Sequence, residues 1–393
     1  MCIRDREGIP LVQAINGGTI AADAFYLDTG SSGYRWSVGS LSINGYEYSL
    51  VQGGISGNTN DWYLTSEASQ VAPEGGAYIG TQQATRTMFD HGLQDRASKR
   101  SLGADRQDSG LWMRAQGRHD KGMRMAEGKV DIDSSSDVVQ MGGALLRRPV
   151  GAQGALYAGL MAGYGDARID STSTLMRRDT NTAVRAKAHG KVSGYSAGVY
   201  GTFYADDVNR LGAYVDTWLQ YGRYTNRLSS ELGSADYDSN LWSASLESGY
   251  ALAPFAADSP FRAWVVEPRG QLIYSRYTAR AADLQDTRLR NGTADAWRSS
   301  IGVRLYQQPG QAADESVLRP FVETNWLHSE AVPSVRMGSN SFDARPSRDA
   351  LELKVGAQLR VARDVELSSH LFGHSGSASE YGYGGQLSLS YSW

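Results

Sequence analysis

The side-chain sets able to do covalent or metal chemistry are few and incomplete. Gly373-His374-Ser375-Gly376-Ser377 approaches the G-x-S-x-G turn that presents a nucleophilic serine. It lacks the final glycine and the strand-to-helix context that exposes such a serine. Asp108-Ser109-Gly110 suggests a serine protease, but it stands where the first of a long series of strands begins. The six histidines (His91, His119, His189, His328, His370 and His374) offer ligand-like spacing only between His370 and His374. In a strand and its loop that pair is expected to be incidental. Lys99-Arg100 has the form of a protease site, and a solvated loop is the simpler reading. Cys2 is the only cysteine, so no internal disulfide is possible. A chain that crosses an oxidising periplasm unfolded is safer without thiols. No catalytic residue, metal site or cofactor is expected, and the chain does not read as an enzyme.

What remains is a set of charges placed on strands. Arg114, Glu267, Arg269, Arg304, Glu323, Glu352 and Lys354 fall on the polar side of period-two segments. The chemistry open to them is ion pairing: hydrating a pore and holding whatever is threaded through it. In 211–221, Leu211, Ala213, Val215, Leu219 and Tyr221 alternate with Tyr214, Asp216, Trp218 and Gln220. Trp242, Ala244, Leu246 and Tyr250 alternate with Ser243, Ser245 and Glu247. Similar runs occupy 265–274, 298–305 and 351–361, and the chain ends on Leu387, Leu389, Tyr391 and Trp393. A soluble sandwich also alternates, so the connections carry the distinction. Twelve strands are expected, near 110–119, 137–147, 154–165, 190–204, 210–225, 237–252, 261–277, 295–306, 317–329, 349–362, 364–373 and 383–393. Short connections follow the even strands. Longer ones (120–136, 166–189, 226–236, 278–294, 330–348 and 374–382) follow the odd strands. Residues 333–343 are kept in a long loop as a hairpin extension, because an even strand count suits an outer-membrane barrel.

Composition agrees. The formal net charge of −3 leaves no basic footprint for nucleic acid. Mean hydropathy is −0.42, and no apolar run approaches the ~18–20 residues of a membrane helix. Strands that alternate lipid-facing and lumen-facing residues average to a polar score. A one-residue slip would turn Glu352, Lys354 and Arg360 toward lipid, at roughly 2–4 kcal/mol for a basic residue at the midplane. Register is therefore strongly specified.

Upstream, residues 1–66 form a Gly-, Ser-, Asn- and Tyr-rich β segment with turns at Asn16-Gly17-Gly18 and Asn44-Gly45. Residues 67–76 read as a linker containing Pro73 and Gly75-Gly76. Residues 77–97 read as a helix, including Gln82, Gln83, Arg86, Met88 and Phe89. Its apolar residues form no clean stripe, which implies polar surroundings. The linker and helix together make a unit over 67–109, and the barrel follows over 110–393. With the C-terminus periplasmic, strand parity puts the helix's lower end in the periplasm, so the helix must run through the pore. Residues 1–25 lack a basic start followed by an apolar stretch of ~7–15 residues. The native start is expected to lie upstream.

Several stretches resemble the autotransporter (type Va secretion) family, pertactin-like branch. They are Arg319-Pro320-Phe321-Val322-Glu323-Thr324-Asn325-Trp326, Tyr214-Val215-Asp216-Thr217-Trp218 and Glu267-Pro268-Arg269-Gly270-Gln271 in the barrel. Tyr46-Glu47-Tyr48-Ser49-Leu50 with Asp61-Trp62-Tyr63-Leu64 resembles the end of the passenger. Gln82-Gln83-Ala84 through Met88-Phe89 resembles the α-linker. The resemblance implies an all-β fold: a twelve-stranded antiparallel transmembrane barrel, an α-helix through the lumen, and a short β-helix-like passenger remnant with an autochaperone role. It implies an outer-membrane location, export and surface display of the chain's own passenger, and assembly by the barrel-assembly machinery. Lipid and lipopolysaccharide, periplasmic chaperones and the passenger itself would be the partners. Leu387, Leu389, Tyr391 and Trp393 resemble the C-terminal signal read by that machinery. Three rivals make different predictions. A general porin would conduct equally after deletion of 77–97. A barrel enzyme needs a clustered site near the outer rim. An adhesin would keep its passenger attached, or would need no detergent if it were a soluble sandwich. Residues 67–100 contain no Asn, so Asn-dependent helix cleavage is not expected.

Overall fold

The computed structural model describes residues 8–55, 60–67, 69–96, 110–256, 258–292, 295–308, 318–362 and 364–392. Five short strands come first: β1 (Ile9–Val12), β2 (Tyr34–Arg35), β3 (Ser40–Ile43), β4 (Tyr46–Gln52) and β5 (Trp62–Thr65). They form one sheet in the order β1-β5-β4-β3-β2, and every pairing is antiparallel. The β segment therefore takes the form of hairpins here, not the parallel rungs of a β-helix. Asn44 and Gly45 both have positive φ, 51° and 91°, which suits a tight two-residue hairpin turn between β3 and β4.

The helical part is α1 (Glu74–Thr87) followed by α2 (Leu93–Arg96). This corrects the expected single helix over 77–97. It starts earlier, at Glu74 behind Pro73, and breaks between Met88 and Gly92. Gly75 and Gly76 belong to the helix and not to a flexible linker. A Cβ on Gly76 would lie 2.3 Å from Ser171 Oγ, and one on Gly80 would lie 2.4 Å from Ile169 Cγ2. These glycines let the helix touch the wall.

Among the described residues, twelve strands close the barrel. The first six are β6 (Gly110–Met125), β7 (Val130–Val150), β8 (Gly154–Arg177), β9 (Thr182–Tyr204), β10 (Gly212–Ser230) and β11 (Gly233–Ala251). After β12 (Trp264–Ala279) comes the hairpin β13 (Ala282–Leu284) and β14 (Thr287–Asn291). Then follow β15 (Asp295–Gln307), β16 (Leu318–Ser329) and a second hairpin, β17 (Ser334–Met337) and β18 (Asn340–Asp343). The last three are β19 (Asp349–Ala362), β20 (Val365–Gly376) and β21 (Tyr381–Ser392). Closure is antiparallel between β21 and β6, with Gln386 opposite Gln116. The two hairpins join as a four-stranded sheet, β13-β14-β17-β18, above the barrel.

Each expected strand position is occupied, but the loops expected at 120–136, 166–189 and 226–236 are mostly strand. β7, β8 and β9 run 21, 24 and 23 residues, about twice the ~9–11 a bilayer requires. Their outer extensions carry inward Ile132, Ile169, Leu175 and Val192, all buried. That face is apolar because Ile132, Ile169 and Val192 pack on α1 and Leu175 packs on Val38 of the upstream segment, so a search for polar-in alternation does not find it.

The outer wall shows the lipid-facing set. Leu111, Met113, Val215, Leu219, Leu246, Ile301, Val303, Leu351, Leu353 and Val355 are all exposed. Aromatic pairs Tyr164–Tyr195, Tyr221–Trp242 and Tyr274–Trp297, with centroids 5.0, 4.8 and 4.8 Å apart, continue across neighbouring strands as a girdle. Among the described residues no helix is long and apolar enough to cross a membrane.

Candidate functional site: the barrel lumen

The lumen has two layers, and α1 and α2 occupy them in turn. In the outer layer α1 sits in an apolar sleeve. Tyr78 and Ile79 are fully buried in a cluster with Val130, Ile132, Ile169, Val192, Tyr237 and Tyr277. Tyr78 stacks on Tyr237 at 5.1 Å, and Thr81 Oγ1 lies 2.6 Å from the Tyr237 hydroxyl. This accounts for the missing apolar stripe: a helix buried on most sides needs none. Surroundings were expected to be polar, and that holds only for the lower end. Of the expected helix residues, Gln82 donates to Asn291 Oδ1 at 2.6 Å. Arg86 is buried with its guanidinium 5.6 Å over Tyr277. Met88 and Phe89 are buried, with Phe89 6.3 Å from the Tyr224 ring. Gln83 faces open lumen.

The inner layer is built from charges. Glu323 on β16 lies 2.6 Å from Arg269, 3.1 Å from Arg304 and 3.7 Å from Lys354. Lys354 reaches Asp95 of α2 at 3.4 Å and Glu352 at 3.8 Å. Asn325 bridges the two acids, donating to Glu323 at 2.8 Å and Glu352 at 2.9 Å. Glu267 accepts from Gln94 of α2 at 2.8 Å. Arg114 donates to Gln140 at 2.8 Å and to the Asp90 carbonyl at 3.3 Å. The seven candidate charges thus all project into the lumen, and Arg114, Glu267 and Lys354 contact the threaded segment directly.

Other contacts come from residues absent from that candidate set. Arg96 pairs with Asp216, both nearly inaccessible, and its guanidinium lies 4.2 Å over Tyr200. Glu247 accepts the Leu93 N–H at 2.9 Å. His91 stacks on Trp218 at 5.0 Å. A group of donors grips backbone carbonyls through the helix break. Arg298 donates to Arg86 O (2.9 Å), Trp218 to His91 O (3.2 Å), Gln271 to His91 O (2.9 Å), and Gln386 and Ser388 to Asp95 O (2.8 and 3.1 Å). These bonds satisfy carbonyls that an unbroken helix would use internally, which is why the chain can leave helical geometry at Phe89. Asp216, Trp218, Gln220 and Glu247 were legible as polar-side residues. Their contact with the segment depends on barrel closure and has no signal in the sequence.

The helix does not fill the pore. A cavity of about 240 Å³ remains beside it, lined by Gln83, Asp90, Arg118, Arg298, Glu352 and His374 among others. His370 and His374 both lie on β20. Among the described residues no three His, Cys, Asp or Glu side chains are grouped to hold a metal. Ser375 lies in β20, paired with Leu351 and Tyr381, and not at a strand-to-helix elbow. Lys99-Arg100 and Asp108-Ser109 fall outside the described residues. Leu387, Leu389 and Tyr391 form an exposed outward row on β21; Trp393 falls outside the described residues.

Above the barrel, the β1–β5 sheet is tied to α1 by a buried ion triad. Arg35 lies 2.9 Å from Glu47 and 2.8 Å from Glu74. Burial alone would lower the Arg35 pKa, but Glu74 and Glu47 outweigh it and hold it above the ordinary arginine value. The rim adds Glu231, which accepts from the Ser37 N–H and hydroxyl, and Phe342, 5.1 Å from Tyr46.

The chain matches the Autotransporter beta-domain family over residues 111–370. It is 27% identical over 431 residues to the uncharacterized protein YdeU of Escherichia coli K12, covering 99% of this chain and 90% of that one. It is 25% identical over 385 residues to the autotransporter adhesin AIDA-I of Escherichia coli, covering 93% of this chain but 29% of that protein. The crystal structure of the AIDA-I transport unit superimposes with a TM-score of 0.70 at 22% identity, covering 82% of this chain and all of the other.

Proposed function

The chain belongs to the autotransporter family and is an outer-membrane translocator unit of type V secretion, and on that premise we propose how its lumen acts. The barrel passes its upstream passenger outward, and α1 and α2 are the trailing segment it retains. The observation that carries this reading is the set of lumen donors fixed on the carbonyls of Arg86, Asp90, His91 and Asp95. Backbone carbonyls are common to any polypeptide, so such a wall suits a passing chain of arbitrary sequence. It tightens into a fixed site only where Asp95 and Arg96 arrive to meet Lys354 and Asp216. The β1–β5 sheet then folds outside and latches through Arg35. The work is transport, without catalysis.

Assembly by the barrel-assembly machinery, after escort by periplasmic chaperones, would read the outward row Leu387, Leu389 and Tyr391 together with the Trp393 that follows it in the sequence. An attached, adhesin-like passenger is favoured by the latch and by the absence of Asn from 67–100. The test is expression behind a signal peptide, followed by outer-membrane fractionation, heat-modifiable gel mobility and surface proteolysis. Residues 8–65 should be accessible from outside on a heat-shifted band. Deleting 74–96 should raise conductance and abolish display. Unchanged conductance would favour a porin.

A further inference from the structure

The turn between β9 and β10 does not stay at the barrel's edge. On one side Asp207 N–H donates to the Gln153 carbonyl at 2.7 Å, in the neighbouring turn between β7 and β8. The Asp207 carboxylate accepts from Arg147 and from the Tyr157 hydroxyl at 2.7 and 2.8 Å. On the other side Gln308, just past β15, donates to the Asn209 carbonyl at 2.9 Å. Leu211 packs with Ala251, Val265, Tyr306 and Phe321, from β11, β12, β15 and β16. In barrel order β10 and β15 are separated by β11 and β12. The segment 205–211 is therefore a chord across the mouth opposite the passenger sheet. Arg210 braces it, pairing with Asp207 at 3.0 Å and lying 3.7 Å over the Tyr204 ring. Arg304 lies 3.7 Å over Phe321 beside it. Positive φ at Arg210 and Gly212 (55° and 78°) turns the chain where it enters β10.

We propose that this chord is a periplasmic floor: a second permeability barrier, separate from α1 and α2. The helix leaves the cavity beside it open, so a closure below that cavity has work to do. The floor's inner layer of Leu211, Tyr306 and Phe321 presents an apolar constriction, which ions and small solutes cross poorly.

The test is ionic current through the full-length chain in planar bilayers, each variant first checked for a heat-modifiable band. Arg210→Ser with Leu211→Gly should raise the mean current several-fold. Gln308→Ala, which removes only the far anchor, should raise it less but in the same direction, and it decides alone if the first variant fails to fold. Phe255→Ala, in the exposed turn between β11 and β12, should leave the current unchanged. Wild-type current from the folded floor variants would overturn the proposal. So would an equal rise from Phe255→Ala, which would indicate general loosening.

Discussion

Arg96→Met should detach the lower end of the threaded segment. Asp216 is about 1% exposed, and its ion-pair partner is Arg96. Without Arg96 its Oδ1 retains the Thr202 hydroxyl at 2.5 Å, and its Oδ2 has no partner among the described residues. Removing one member of a buried pair costs about 3–5 kcal/mol, because the other charge stays buried and uncompensated. At about 1.4 kcal/mol per tenfold, the open form would gain roughly two to three and a half orders of magnitude. Asp216→Asn strands Arg96 less severely, since the guanidinium keeps the Tyr200 face at 4.2 Å. The double variant Arg96→Met with Asp216→Leu replaces the pair with apolar groups, a change that is often near neutral. The assay is a urea titration of the heat-modifiable band, run in parallel with bilayer current. A loss under about 1 kcal/mol for Arg96→Met would refute the argument, as would a double variant equal to the sum of Arg96→Met and Asp216→Leu made singly, the mark of independent sites.

Three further outcomes are expected. Gly80→Leu should destabilise by about 1–3 kcal/mol through overpacking, although leucine favours a free helix over glycine by roughly 1 kcal/mol; protease access to α1 in the folded barrel reads it. Arg35→Met strands Glu47 and Glu74 at about 3–5 kcal/mol. It should make residues 34–52 protease-sensitive while the barrel band persists. Deleting Trp393 should weaken the heat-shifted outer-membrane band without creating a soluble form, and an unaffected band would remove the C-terminal row from assembly.

The barrel was legible because lipid imposes a rule that residue order must obey. Val215, Leu219 and Tyr221 against Asp216, Trp218 and Gln220 can be sorted without knowing any neighbour. The helix break was not legible. Met88 to Gly92 contains no proline, and what interrupts it is a set of donors on β6, β10, β12 and β15 that meet there only when the barrel closes. The β13–β14 hairpin was hidden for a related reason. Ala282, Leu284 and Leu289 face inward against the sleeve, so the segment offers no polar-in pattern. The same inversion concealed the outer halves of β7, β8 and β9.

The two lumen layers divide the task of stopping the chain. The apolar sleeve supplies stability but little direction, since burial is insensitive to small shifts along the axis. The ion ring is directional but gains little net energy from charges it must first desolvate. Sliding the helix by one turn, about 5.4 Å, would break both. Gly76 and Gly80 stand about one turn apart, so one would take the other's place, and the site left behind, against Ser171 or Ile169, would receive a side chain where only a hydrogen fits. Asp95 would leave Lys354, and Arg96 would leave Asp216. Above, Glu74 would be pulled from Arg35, which is held by the folded sheet. A chain can therefore pass through this pore in many registers but can stop in one: the register in which the glycines, the acid and the arginine all arrive together.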